Sequence, residues 1–210
     1  MSDTKNIVYL THKRFKEAIS ARKKLLLWQL KGKPIPPPHV VKQKIVKDHA
    51  ARFKTRTLIE TGTFMGEMID AVLSSFTRII SVEFDEALAL RARKKFSSYP
   101  CITIIHGDSA AVLPQVVVEL KEPCLFWLDA HYSGGVTAKS DLMTPIVQEL
   151  NILLSPGNPD HVILIDDARE FTGQNNYPTL AEVREFIASR RPDWIMHVQD
   201  DIIRIHKAVS

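Results

Sequence analysis

The chain has 210 residues, 45% of them hydrophobic and 25% charged, with a formal net charge of +4. That apolar content suits a packed globular core and excludes an intrinsically disordered chain, while the longest apolar runs, such as Ala111 to Val118, are too short to span a bilayer. Two cysteines, Cys101 and Cys124, are too few for a disulfide framework; each opens an apolar strand, and both are expected to be buried thiols. The first residues lack the charged, then apolar, then small-residue order of a signal peptide, so the cytoplasm is the expected compartment.

The modest net charge hides an asymmetry. Residues 1–56 carry 15 Lys and Arg against 3 Asp and Glu, and the remainder 13 against 21. Residues 11–30 read as a helix with Phe15, Ile19, Leu26 and Leu30 on one side and Lys13, Lys16, Lys23 and Lys24 elsewhere. Pro36, Pro37 and Pro38 then stop any helix, and the boundary between a basic leader (1–38) and the main domain (39–210) is placed there. A second helix follows over 39–53.

From Thr57 the pattern alternates. Strands are expected at 57–60, 78–83, 102–106, 124–129 and 161–166, and helices at about 66–76, 85–97, 109–120, 144–154 and 178–190. Thr144 and Pro145 suit the N-cap and first position of the fourth of these helices. Two apolar runs, 194–199 and 202–206, meet near Asp200 and Asp201 and read as a closing hairpin. Alternation of this kind predicts an α/β fold: a doubly wound, mostly parallel sheet with a C-terminal antiparallel hairpin and an N-terminal helical extension. Ligands of such sheets bind at the carboxyl ends of the strands.

Those ends are where the polar residues gather. The first strand runs into Glu60-Thr61-Gly62-Thr63 and on to Gly66; the second ends at Glu83, 21 residues after Gly62. Glycines at such a turn allow close backbone approach to a ligand, and an acid closing the next strand can accept hydrogen bonds from two ribose hydroxyls. The third turn carries Gly107-Asp108-Ser109, the fourth Asp129-Ala130-His131, and the fifth Asp166-Asp167. Asp108 serves equally well as an N-cap for the helix that follows. Asp166 and Asp167 reach one ion only if the strand ends there, since neighbouring strand residues point to opposite faces. His131 suits a general base, an orienting group or a turn histidine. Phe126 and Trp127 lie inside a strand and are expected in the core.

In order and spacing these turns resemble class I S-adenosylmethionine-dependent methyltransferases. The likeness is closest to the metal-dependent O-methyltransferases of the catechol, caffeoyl-CoA and macrocin types, and it covers residues 40–210. It implies that Glu60, Gly62, Thr63 and Gly66 hold the methionine part of S-adenosylmethionine, that Glu83 holds the ribose, and that Asp108 and Ser109 lie near the adenine. It also implies a divalent cation, Mg²⁺, on Asp129, Asp166 and Asp167, with Asp129 and His131 as catalytic residues. The segment Tyr132 to Ser140 is an insert outside the family pattern, suited to a substrate loop or lid.

The implied reaction is methyl transfer to a hydroxyl of a sugar or catechol-like vicinal diol, held by the metal through two oxygens. A nucleotide-binding oxidoreductase and a non-catalytic cofactor-binding module are the competing readings. The lysine-rich leader is either a solvated face or a contact for an anionic partner: a nucleotide- or lipid-linked substrate, an acidic glycan or an anionic membrane surface. Nucleic acid is disfavoured because no aromatics interleave the lysines. An oligomer is compatible with all of this.

Overall fold

The computed structural model describes residues 19–129 and 145–208. Residues 19–30 are helical (α1), and α2 spans His39–Phe53. The alternating part then runs β1 (Thr57–Thr61), α3 (Glu67–Val72), β2 (Arg78–Glu83), α4 (Glu86–Lys95), β3 (Ile102–His106), α5 (Ser109–Glu119), β4 (Leu125–Leu128), α6 (Ile146–Leu153), β5 (Val162–Ile165), α7 (Leu180–Arg190), β6 (Trp194–Gln199) and β7 (Ile202–Lys207).

Seven strands form one sheet in the order β3-β2-β1-β4-β5-β7-β6. The first five are parallel; β7 runs antiparallel to both β5 and β6. Insertion of an antiparallel β7 beside β5 departs from the all-parallel 3-2-1-4-5-6 order of dinucleotide-binding sheets. The order reverses between β1 and β4, and a crevice opens at such a switch point beyond the strand ends.

Side-chain alternation builds the two cores. Leu58, Leu125, Trp127, Val162 and Leu164 face α2, α3 and α4, whereas Ile59, Phe126, Leu128, Ile163 and Ile165 face α5, α6 and α7. Strands buried on both faces read as continuous apolar runs, as Leu125–Leu128 and Val162–Ile165 do. The turn between β6 and β7 places Asp200 and Asp201 at φ +54° and +63°, the paired left-handed geometry of a two-residue hairpin. Thr179 and Glu182 close a reciprocal capping box at the start of α7.

Four expectations shift. Helix α6 begins at Ile146 with Pro145 at the N-cap position, not inside the first turn, and Thr144 lies outside the described residues. The helix expected over 66–76 is shorter, ending as α3 at Val72 with a single 3-10 turn, Leu73–Ser75, after it. Cys124 is buried but Cys101 only half so, because β3 is an edge strand with one open flank. The side of α1 that docks is not the one carrying Ile19, Leu26 and Leu30, which are exposed; Trp28 turns inward instead and joins the core with Val41, Ile45 and Val46. An indole buries more apolar area than any one leucine, and its N–H finds the Pro34 carbonyl at 2.8 Å.

Candidate active site

The loop after β1 makes the first wall. Gly62 takes φ +89° and its amide donates to the Val82 carbonyl at 2.9 Å, tying the loop to the end of β2. Gly66, at φ +68°, is required for a different reason. A Cβ there would lie 2.7 Å from Phe96 Cε2, so the end of α4 packs directly on this loop. The chain between the two glycines exposes Phe64, itself at φ +46°.

Glu83 points into this loop. Its Oε2 accepts from the Phe64 amide at 2.7 Å and its Oε1 from the Asp85 amide at 2.9 Å. Each carboxylate oxygen keeps a second lone pair, which leaves two acceptor sites for a diol. The side chain is buried and fixed from both ends, so it is preorganised. Phe84, beside it, is exposed.

Glu60 sits behind the loop, 1% exposed. Ser81 Oγ donates to its Oε2 at 2.5 Å, and Thr63 Oγ1 lies 2.6 Å from Ser81 Oγ. With the Ser81 hydrogen committed to Glu60, Thr63 is the donor in the second contact. Burial pushes the Glu60 carboxyl up to about 8, with nearby Glu83 adding to the rise and Ser81 and Lys95 opposing it.

At the third strand end, Asp108 caps α5, its Oδ1 accepting from the Ala110 amide at 2.9 Å, and it remains exposed. Ser109 is buried beside it. Facing Ser109 and Thr61 is Glu149 of α6, fully buried and pushed up to about 7 by that burial, with the two hydroxyls opposing the rise.

The acids of β4 and β5 come together as the sequence requires. Asp129, Asp166 and Asp167 each offer an oxygen within 4.8 Å of the others. Asp129 and Asp166 follow Trp127 and Leu164 by two residues and so share their face, the one that α2 covers. Asp167 joins them because β5 has ended: its φ of +55° turns the backbone left-handed and swings its carboxylate to the same side. The Asp167 amide donates to Asp166 Oδ1 at 2.9 Å.

Among the described residues, Lys42 and Arg169 already meet these acids. Lys42, from α2, donates to Asp166 Oδ2 and lies 3.4 Å from Asp167 Oδ1. Burial alone would lower the Lys42 pKa, but Asp166 and Asp167 more than reverse it. Arg169 Nη1 bonds Asp167 Oδ1 at 2.8 Å and also reaches Asp201, in the β6–β7 turn. Burial and the neighbouring Asp166 hold Asp129 well above the usual carboxylate range, and Glu60 contributes to that rise, so the two walls of the crevice feel each other.

No protein-family model matches the chain. Over 106 residues it is 28% identical to the ribosomal RNA small subunit methyltransferase A of Dehalococcoides mccartyi, a stretch covering 45% of this chain. The match spans only 36% of that curated relative's length. Among solved structures, the O-methyltransferase TomG from Streptomyces achromogenes, in complex with S-adenosylmethionine, superposes with a TM-score of 0.60 at 16% identity, covering 90% of this chain and 89% of that one. The O-methyltransferase from Bacillus cereus, in complex with S-adenosylhomocysteine, superposes with a TM-score of 0.58 at 17% identity, covering 89% and 90%. This chain has the class I methyltransferase fold.

Within the methyltransferase fold, the structure places Glu60, Gly62, Thr63, Gly66 and Glu83 around one loop, Asp108 and Ser109 at the next turn, and Asp129, Asp166 and Asp167 in one cluster. His131 and the insert after it lie outside the described residues. Sequence reasoning missed Lys42, Ser81, Glu149 and Arg169. Ser81 carried a signal, a hydroxyl in an apolar strand one turn of the fold from Glu60. Lys42 carried none, because its partners lie more than a hundred residues away.

Proposed function

We propose that this chain is an S-adenosylmethionine-dependent methyltransferase whose acceptor is a hydroxyl oxygen on a sugar or catechol-like diol. The observation that carries the reading is Glu83. It is pinned by two backbone amides over the Gly62 loop, with lone pairs left for a ribose and the acid cluster two strands away. An acid so held recognises a vicinal diol without reorganising, which is where positional rate enhancement comes from.

The reaction is an in-line displacement: an acceptor oxygen forms a bond to the methyl carbon as the carbon–sulfur bond breaks. The sulfur leaves neutral as S-adenosylhomocysteine and the hydroxyl proton passes to the rim. Asp129, and His131 two residues on in sequence, are the candidates to receive it. Lys42 and Arg169 offset the charge of Asp166 and Asp167 and hold them in place beside the acceptor.

Three carboxylates at this spacing fit a hard divalent cation in donor type and separation. Asp129, Asp166 and Asp167 would hold it. When bound, such a cation supplies Lewis acidity and a second point of attachment for a diol. Lys42 holds two of the same carboxylates, so ammonium and metal compete for one place.

The test is calorimetric titration with S-adenosylmethionine and with NAD, then a methyl-transfer assay over a panel of diols. Absence of S-adenosylmethionine binding sinks the proposal. The likeness to a ribosomal RNA methyltransferase favours a second reading, an acceptor within RNA. The strand-end crevice presents carboxylates, Glu83 among them, where a phosphate-binding site would present basic groups, and this argues against it. Transfer to small-subunit ribosomal RNA with none to the diols would establish the second reading instead.

A further inference from the structure

We propose that helix α1 docks the protein onto an anionic lipid surface. Among the described residues, the helix meets the domain through the side that carries Trp28. Trp28 is 4% exposed, set in the core against α2, and Leu25 packs beside it. At about 100° per residue the opposite side carries Ile19, Leu26 and Leu30 within about 40° of one another. These are 52%, 55% and 73% exposed, with Leu27 adjoining them at 44%. Arg22 and Lys23 border the stripe on either side, and Lys24, Lys31 and Lys33 continue the basic flank; all are exposed.

A surface stripe of leucines flanked by cations is the signature of a helix lying in the plane of a membrane interface. The leucines enter the acyl boundary, and the long basic side chains reach up to phosphate headgroups. Charge complementarity selects the anionic surface, since residues 1–56 carry 15 Lys and Arg against 3 Asp and Glu. The leucines select lipid over nucleic acid. A nucleic-acid platform presents aromatics to bases, and the aromatic of this helix is turned into the core. Among the described residues no helix is long and apolar enough to cross a membrane, so the contact is peripheral.

The geometry also relates this surface to the strand-end rim. Lys33, just past α1, lies 3.8 Å from Asp200, whose neighbour Asp201 holds Arg169 at the acid cluster. The end of α1 therefore reaches the β6–β7 turn, on the same rim as the acid cluster. This surface contact does not depend on the identity of the methyl acceptor.

The test is flotation of the full chain with vesicles of phosphatidylcholine alone and with vesicles rich in phosphatidylglycerol. Binding is expected to the second only and to fall with added salt. The double variant Leu26→Asp, Leu30→Asp should lower the partition at least about tenfold, since both positions are solvent-exposed and leave the fold intact. As an independent measurement, a Leu30→Trp variant should show added fluorescence that brominated lipid quenches. Equal binding by the Asp variant, or failure of brominated lipid to quench the added indole, overturns the proposal. So does displacement of vesicles by a short RNA at equal charge. A leucine-dependent dimer in the absence of lipid, seen by light scattering, overturns it in favour of a second copy as the occupant.

Discussion

The Lys42 ammonium, on the second helix, sits against Asp166 and 3.4 Å from Asp167 Oδ1, although 124 residues separate Lys42 from Asp166. With the Lys42 side chain only 13% exposed, this pair is screened little by water. Converting Lys42 to Met takes the ammonium away from buried Asp166, while Asp167 keeps Arg169, a cost of about 3 kcal/mol in stability. The same variant should bind Mn²⁺ more tightly than the unaltered protein and be stabilised by it. Spin-resonance titration of free Mn²⁺ measures this. Equal affinity in the two proteins would show that lysine and metal do not share the place.

Glu83 should be intolerant even of an isosteric change. Both of its oxygens face backbone N–H groups, so Glu83→Gln turns a donor toward a donor on one side. Each broken bond to a charged acceptor costs about 1.5–3 kcal/mol. S-adenosylmethionine affinity should fall about tenfold or more, at about 1.4 kcal/mol per decade. Calorimetry reads this directly, and affinity retained within about twofold would remove Glu83 from the ribose role.

Gly66 is constrained by packing as well as by backbone. A methyl group there meets the Phe96 ring at 2.7 Å, and φ is +68°. Gly66→Ala should destabilise the fold by about 1–3 kcal/mol. Thermal unfolding checks it. The double variant Gly66→Ala, Phe96→Leu should recover part of the loss, which separates the ring contact from the backbone strain.

Stability should fall across the neutral range for a traceable reason. Glu60 ionises near 8 and Glu149 near 7 in the folded protein, both raised from 4.5 by burial. Between 4.5 and those values the unfolded chain has released the protons that the folded one still holds, so rising pH favours unfolding. These contributions are full below 4.5 and are lost by 8 for Glu60 and by 7 for Glu149. Glu60→Gln should flatten the decline of melting temperature with pH over that range. An unchanged slope would mean that the carboxyl is charged throughout.

The sheet was legible from sequence because both-sides-buried strands are continuous apolar runs, and Leu125–Leu128 and Val162–Ile165 can be little else. The polar turns after them were legible for the same reason: each begins where the apolar run stops. What stayed hidden was set by tertiary contact. Ile19, Leu26 and Leu30 form a regular stripe, yet Trp28 decides which side docks, and periodicity does not weigh one indole against three aliphatic chains. Gly66 was legible as a loop glycine, but not that its missing side chain also accommodates Phe96 at the end of α4. Lys42 looked like one more surface lysine in a basic helix.

The double grip of Arg169 on Asp167 and on Asp201 has a consequence for how the crevice comes into being. The acid cluster draws on α2 at one end of the described chain and on the β6–β7 turn at the other. Closing such distant segments costs loop entropy that only the completed sheet can repay. The acid cluster of this protein is therefore tied to its most non-local architecture: damage to the β6–β7 hairpin, far from the Gly62 loop, should be felt first as a loss of order among the carboxylates.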